Sequence, residues 1–128
     1  MREIKFRAKS CTQWRYGDLY HNERGELMIY DPQSRGETLD GEPFDGWRIK
    51  VDPETVGQYT GLNDRGGKEI FEGDIISLQG AYGSNATLVK WHDGMWCIKK
   101  DLPLCHATAI ASVIGNVYDN PELLECKP

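Results

Sequence analysis

Four groups of side chains in this sequence combine residue types and spacing that chemistry could use. Glu69, Glu72 and Asp74 fall within six residues and could act as paired carboxylates in proton transfer. Turn chemistry is the preferred account of them: Gly73 frees the backbone, Asp74 can bond the amides of its own turn, and the two glutamates are read as solvated. His92, Cys97, Cys105 and His106 suggest zinc or a Cys-His nucleophile. Their spacing fits no C-x₂-C or H-x₃-H pattern, Cys97 sits where a strand wants a small buried hydrophobe, and no orienting acid is evident. The run Asn63-Asp64-Arg65-Gly66-Gly67 has the glycines of a phosphate cradle, yet no strand-to-helix step follows it, so Gly66 and Gly67 are read as turn residues, with Gly73 and Asp74 forming the next turn. The fourth group mixes Lys5, Arg7, Lys9 and Arg15 with Trp14 and Tyr16, the pairing of charge and stacking by which small β folds hold single strands; against it stands the commoner core role of strand aromatics. This basic-aromatic face is the candidate binding site. No catalytic, cofactor-binding or metal-ligating residue is assigned, and no cofactor is expected.

The elements that must position these residues are short strands. Arg2 to Lys9 alternates with period two, and Trp14 to Tyr20 and Leu27 to Tyr30 form a hairpin about Asn22-Glu23-Arg24-Gly25. Residues 31–45, rich in Pro, Gly and acids, read as a long loop. Trp47, Ile49 and Val51 give a strand closed by Asp52-Pro53, and Gln58 to Ile76 then reads as strand, turn, strand. Asp93-Gly94 marks a hairpin between Thr87–Trp91 and Met95–Lys99. Asp101 to Cys105 is an edge or a loop, Thr108 to Val113 a short strand or a helical turn, and Ile114 to Tyr118 the last strand. The expectation is a mainly β fold with little helix: an N-terminal β lobe, 1–56, carrying the acidic loop 31–45, and a lobe at 57–128 sized for a small SH3-like barrel, the two sharing a core or standing apart.

With 39% hydrophobic and 27% charged residues among 128, the chain is a folded domain, and no apolar run is long enough for a membrane span or an export signal. A cytoplasmic location follows as an expectation, with the four cysteines, which lack paired spacing, as reduced thiols. Net charge is −5, against a general nucleic-acid coat, but residues 1–24 carry +3 and the remainder −8.

Three stretches together resemble the YopX family of small phage and prophage proteins: Met1-Arg2-Glu3-Ile4-Lys5-Phe6-Arg7-Ala8; Gln58-Tyr59-Thr60-Gly61-Leu62 with Asp64 and Lys68-Glu69-Ile70-Phe71-Glu72-Gly73-Asp74-Ile75-Ile76; and Ile114-Gly115-Asn116-Val117-Tyr118-Asp119-Asn120-Pro121-Glu122-Leu123. After Ala8 this chain has Lys9-Ser10 where such proteins usually continue with a Trp-Asp pair. The resemblance implies a mainly β protein whose C-terminal half is similar to an SH3-type barrel, encoded on mobile DNA in a bacterium. It carries no activity and no site residue. The expected function is non-enzymatic binding of a host or phage protein, with self-association an option and no membrane partner. The alternative is weak single-stranded nucleic-acid binding by the basic-aromatic face.

Overall fold

The computed structural model describes residues 3–37, 43–78, 86–98 and 102–124, and the chain divides into two compact units, Glu3–Gln58 and Tyr59–Pro128. The fold is mainly β, with short 3₁₀ turns at Pro53–Thr55, Leu104–His106 and Pro121–Leu124.

In the first unit the alternating N-terminal segment is strand β1 (Phe6–Ser10), antiparallel to β2 (Gln13–His21) in a register running from Phe6↔Gly17 to Ser10↔Gln13. Only Cys11-Thr12 joins them, with Cys11 at φ 58°. A two-residue hairpin needs left-handed backbone, which here falls on a cysteine instead of Gly or Asn, so composition does not announce this turn. The next turn is the expected one. Asn22 Oδ1 accepts from the amides of Arg24 and Glu26, both at 2.9 Å, and Gly25 lies at φ 79° before β3 (Leu27–Glu37) begins.

β3 pairs with β4 (Pro43–Lys50) from Met28↔Lys50 to Glu37↔Pro43, with a break in register between Asp31 and Arg35. The segment 31–45 is therefore strand over 31–37 and 43–45 instead of a long loop; residues 38–42 lie outside the described residues. Position explains the correction. Pro32 falls in the bulge and Pro43 at the first residue of its strand, the two places where a missing N–H costs the ladder nothing. The strand order is β4-β3-β2-β1, and Gly57 and Gln58, which open β5 (Gly57–Asn63), pair with Arg7 and Phe6 on the far side of β1.

One face of this sheet is apolar. Ala8 and Ile29 are fully buried there, the half-buried Leu19 and Leu27 pack against them, and Val51 and Val56 of the connection to β5 complete the cluster. Burying a side chain such as Ile29 contributes about 1.5–3 kcal/mol. Hydrogen bonds hold the connection down: the Asp52 amide donates to Lys9 O at 2.8 Å, and the Lys9 amide donates to Thr55 Oγ1 at 2.8 Å. Asp52 caps the turn at Pro53–Thr55 by accepting from the Glu54 amide at 3.1 Å.

The second unit continues β5 into a hairpin with β6 (Glu69–Phe71), followed by β7 (Asp74–Leu78), β8 (Ala86–Leu88), β9 (Lys90–His92), β10 (Met95–Ile98), β11 (Leu102–Pro103) and β12 (Ala111–Asn116). They form sheets of order β12-β7-β8 and β11-β10-β9 beside the β5/β6 pair, and no closed barrel is found among the described residues. Ile70, Ile76, Leu78, Val89, Ile98, Leu104, Ala107 and Ala111 make a single buried cluster. The strands are too short to bury much individually; the cluster is assembled from β6, β7, β10 and β12 with the 3₁₀ turn at Leu104–His106 and the residues beside them.

Candidate binding face

The hydrophobic face of the first sheet fixes what its other face presents. Directly opposed residues share a face, so Arg7/Tyr16 and Lys9/Trp14 lie together, and Asp18/Tyr30/Arg48 and Tyr20/Met28/Lys50 extend the same face across β3 and β4. Arg7 lies 4.7 Å and Lys9 5.6 Å from the Trp14 ring centroid, and Arg48 lies 5.3 Å from that of Tyr30. Each such contact contributes about 0.5–1 kcal/mol at exposed sites, more when dry. Tyr16 is 42% exposed. Arg7 is buried, whereas Asp18, Arg48 and Lys50 are exposed. Gly46 permits the Tyr30 ring to lie where it does, since a Cβ there would stand 2.6 Å from the ring.

Of the residues expected to form one face, Arg7, Lys9, Trp14 and Tyr16 are brought together. Lys5 precedes β1 and pairs with Glu3 at 3.4 Å. Arg15 lies opposite Ala8, on the apolar side, donating to Gln13 Oε1 at 2.7 Å. Tyr30, Arg48 and Lys50 were not legible as members, because strand pairing, which sequence spacing does not reveal, places them there. Lys50 pairs with Glu26 at 2.7 Å; bonds from Lys50 and Asn22, with the Lys50 charge, hold Glu26 below the usual glutamate range.

The other candidate groups are occupied by backbone. Asp64 Oδ1 accepts from the Gly66 and Lys68 amides and Oδ2 from Val113 of β12, each at 2.9 Å. The Gly67 amide goes to Asp64 O at 3.0 Å and that of Arg65 to Ala111 O at 2.9 Å, so four successive amides of the glycine turn have internal acceptors. Burial raises the Asp64 carboxyl, but the Val113, Lys68 and Gly66 amides and the Lys68 charge outweigh it and hold the group below the ordinary aspartate range. Asp74 is 1% exposed and accepts from the Phe71 amide at 2.8 Å; Gly73, at φ 91°, donates to Val89 O at 3.0 Å and accepts from the Val117 amide at 2.9 Å.

The remaining motif residues behave alike. Tyr59 packs on Phe71 at 5.5 Å between centroids and donates to Asn63 Oδ1, while Thr60 Oγ1 donates to Ile70 O at 2.8 Å. Asn116 Oδ1 accepts from the Tyr118 and Asp119 amides at 3.0 and 2.9 Å, and a Cβ on Gly115 would stand 2.6 Å from Asn120 Oδ1. Cys97 is buried with Sγ 3.7 Å from the carbonyls of His92 and Met95; Cys11 and Cys105 are exposed. Among the described residues no three His, Cys, Asp or Glu side chains are grouped to hold a metal ion.

One exposed feature went unnoticed in the sequence. Trp91 of β9 is 53% exposed and stands edge-on to Trp96, its directly opposed neighbour on β10, at 4.8 Å. A tryptophan in an alternating strand looks like core until the register is known.

The fold and its motif thus define a mainly β chain of two units whose signature turns are held by Asp64, Asp74 and Asn116. The chain belongs to the YopX family: the family model, described as YopX protein, matches residues 5–125. It is similar to the crystal structure of protein EF1440 from Enterococcus faecalis, with 25% sequence identity, 98% of this chain and 100% of that chain covered, and a TM-score of 0.65. No curated protein matches it.

Proposed function

We propose that this chain is a non-enzymatic accessory protein of a phage or prophage, acting in the bacterial cytoplasm by binding another protein of host or phage. The observation that carries this reading is the exposed Trp91 on the β9/β10 hairpin. Tryptophan is prominent among the residues that dominate binding energy, and a large ring with two side-chain torsions on a hydrogen-bonded strand loses little entropy on docking. The second unit, whose short strands surround one apolar cluster, is read as a relative of the SH3-like barrel, and the lobes as 1–56 and 57–128. No helix among the described residues is long and apolar enough to cross a membrane.

Capture from the host with tagged full-length protein tests the proposal. A specific protein retained by wild type and lost with Trp91→Ala, at unchanged melting temperature, is the expected result. Concentration-dependent self-association lost in the same variant would make the partner a second copy. Identical capture by wild type and Trp91→Ala would overturn the assignment to this hairpin.

A further inference from the structure

We infer that the outer edge of β4 over residues 47–50 takes up one extended protein segment as an added antiparallel strand, in which two acidic residues flank an apolar one. β4 ends the strand order β4-β3-β2-β1, and no strand among the described residues pairs with its outer side. Hydrogen bonding in an antiparallel pair alternates residue by residue, so one bond fixes the rest. The Val51 amide donates to Leu27 O at 3.1 Å, continuing the register Met28↔Lys50 and Ile29↔Ile49. The alternation assigns Ile49 to Ile29 and turns the N–H and C=O of Arg48 and of Lys50 away from β3, out of the sheet edge. The neighbouring hairpin agrees. The Asn22 amide donates to Glu26 O at 3.0 Å, which directs the backbone groups of Met28 and Tyr30, opposite Lys50 and Arg48, toward β2 and not toward β4.

Open edges are usually blunted. Pro43, which has no N–H, and Gly46, at φ 84° beside the break in register between Asp31 and Arg35, do this for the first half of β4. The second half offers its backbone groups between the exposed side chains of Arg48 and Lys50. Those charges select the occupant. A second copy of the chain, added antiparallel, meets the same cations if it pairs through its own residues 47–50, and the blunted half if it does not; like charges directly opposed repel. A carboxylate opposite Arg48 is attracted instead, with Cβ atoms about 5 Å apart.

Arg48 is the stronger selector, because its guanidinium lies 5.3 Å from the centroid of the Tyr30 ring and is held there before a partner arrives. Lys50 shares its charge with Glu26 at 2.7 Å, but an ammonium has further N–H donors for a second carboxylate. Between the two, Ile49 belongs to the other face of the sheet. It is directly opposed to the fully buried Ile29 yet is itself only half-buried, so an apolar residue on the added strand would cover it. The period of two thus converts cation, apolar, cation on β4 into acid, apolar, acid on the partner, with main-chain bonds giving affinity and alternate side chains specificity.

NMR titration of isotope-labelled full-length protein with the peptide acetyl-Ser-Glu-Val-Glu-Ser-amide tests this. Amide shifts should be largest at Arg48 and Lys50, whose N–H groups gain acceptors, and smaller at Ile49. N-methylation of the glutamates should abolish binding, because their amides face β4, whereas N-methylation of the valine, whose amide faces away, should be tolerated. Arg48→Glu should weaken binding roughly tenfold, the sum of a cross-strand attraction lost and a repulsion gained, and Lys50→Glu by less. Trp91→Ala should bind the peptide as wild type does, so this edge and the β9/β10 hairpin can fail separately. Shifts confined to residues outside β4, tolerance of the N-methylated glutamates, or equal binding of acetyl-Ser-Lys-Val-Lys-Ser-amide would overturn the proposal. Absence of binding by folded wild type would do so too, as would occupation of the edge by a second copy, seen as concentration-dependent shifts at Arg48 and Lys50 without peptide.

Discussion

Asp64→Asn replaces one oxygen by a nitrogen, and the structure says what that oxygen does. The amide oxygen of asparagine can still serve the Gly66 and Lys68 amides within the turn, which leaves its NH₂ facing the Val113 amide where Oδ2 now accepts at 2.9 Å. A charge-assisted bond becomes a donor opposite a donor, across 49 residues of chain, at the point where the β5/β6 turn is tied to β12. Hydrogen bonds to charged groups are worth about 1.5–3 kcal/mol, so the expected cost is about 2–3 kcal/mol. Asp64→Ala should cost only about 1 kcal/mol more, because the turn amides at Gly66 and Lys68 are exposed and water replaces their acceptor. The pH dependence has a definite sign. The folded-state carboxyl lies below its ordinary value, so its stabilisation is complete above the unfolded pKa, about 3.9, and is lost as pH falls through the lower folded value. Urea denaturation followed by tryptophan fluorescence, near neutrality and at about pH 3, should show a gap between wild type and Asp64→Asn that narrows in acid. Equal midpoints at neutral pH, or an undiminished gap in acid, would refute the reasoning.

Further outcomes follow from the same contacts. Gly73→Val should cost about 1–3 kcal/mol in thermal melts, since φ 91° is a left-handed conformation closed to valine. Asp74→Ala should cost about as much, because a buried carboxylate is the acceptor of the Phe71 amide; near-neutral melts for Asp74→Ala would contradict this. Gly17→Ala should be among the most damaging single-methyl additions in the first unit, about 3 kcal/mol or more, as the new Cβ would stand 2.0 Å from Tyr30 O. Peptide mapping after brief alkylation should find Cys11 and Cys105 modified in native protein and Cys97 only after denaturation.

Sequence reasoning reached the turns that glycine, asparagine and aspartate announce, namely Asn22–Gly25, Asp64–Lys68, Gly73-Asp74 and Asp93-Gly94, because these residues have local chemistry that needs no partner. It missed the Cys11-Thr12 hairpin, where the left-handed residue carries no such mark. It also read 31–45 as loop from its prolines, although Pro32 lies in a bulge and Pro43 at a strand start. Asp64 was seen as a turn residue and is one; its bond to Val113 is a tertiary fact without a local signal. The same limit hid Trp91, whose exposure depends on which strand covers it.

Charge counted along a chain is not charge on a surface, and the first unit makes the difference concrete. Residues 1–24 carry +3, yet Arg7 is buried beside Trp14, Lys5 is paired with Glu3, and Arg15 lies on the apolar side of the sheet. The positive field of the candidate face therefore draws on Arg48 and Lys50, which are remote in sequence and arrive by strand pairing. Reversing Lys5, Arg7 and Lys9 to glutamate would place a carboxylate at the buried Arg7 position, at a cost of several kcal/mol, and would report on folding before binding. Neutralising Arg48 and Lys50 instead removes exposed charge, with loss of the Arg48–Tyr30 contact and the Lys50–Glu26 pair. Each single variant should cost no more than about 1 kcal/mol, so any loss of ligand binding in the folded variants belongs to the face itself. A large drop in their melting temperature would show that these cations hold the sheet together and would move them from the ligand to the fold.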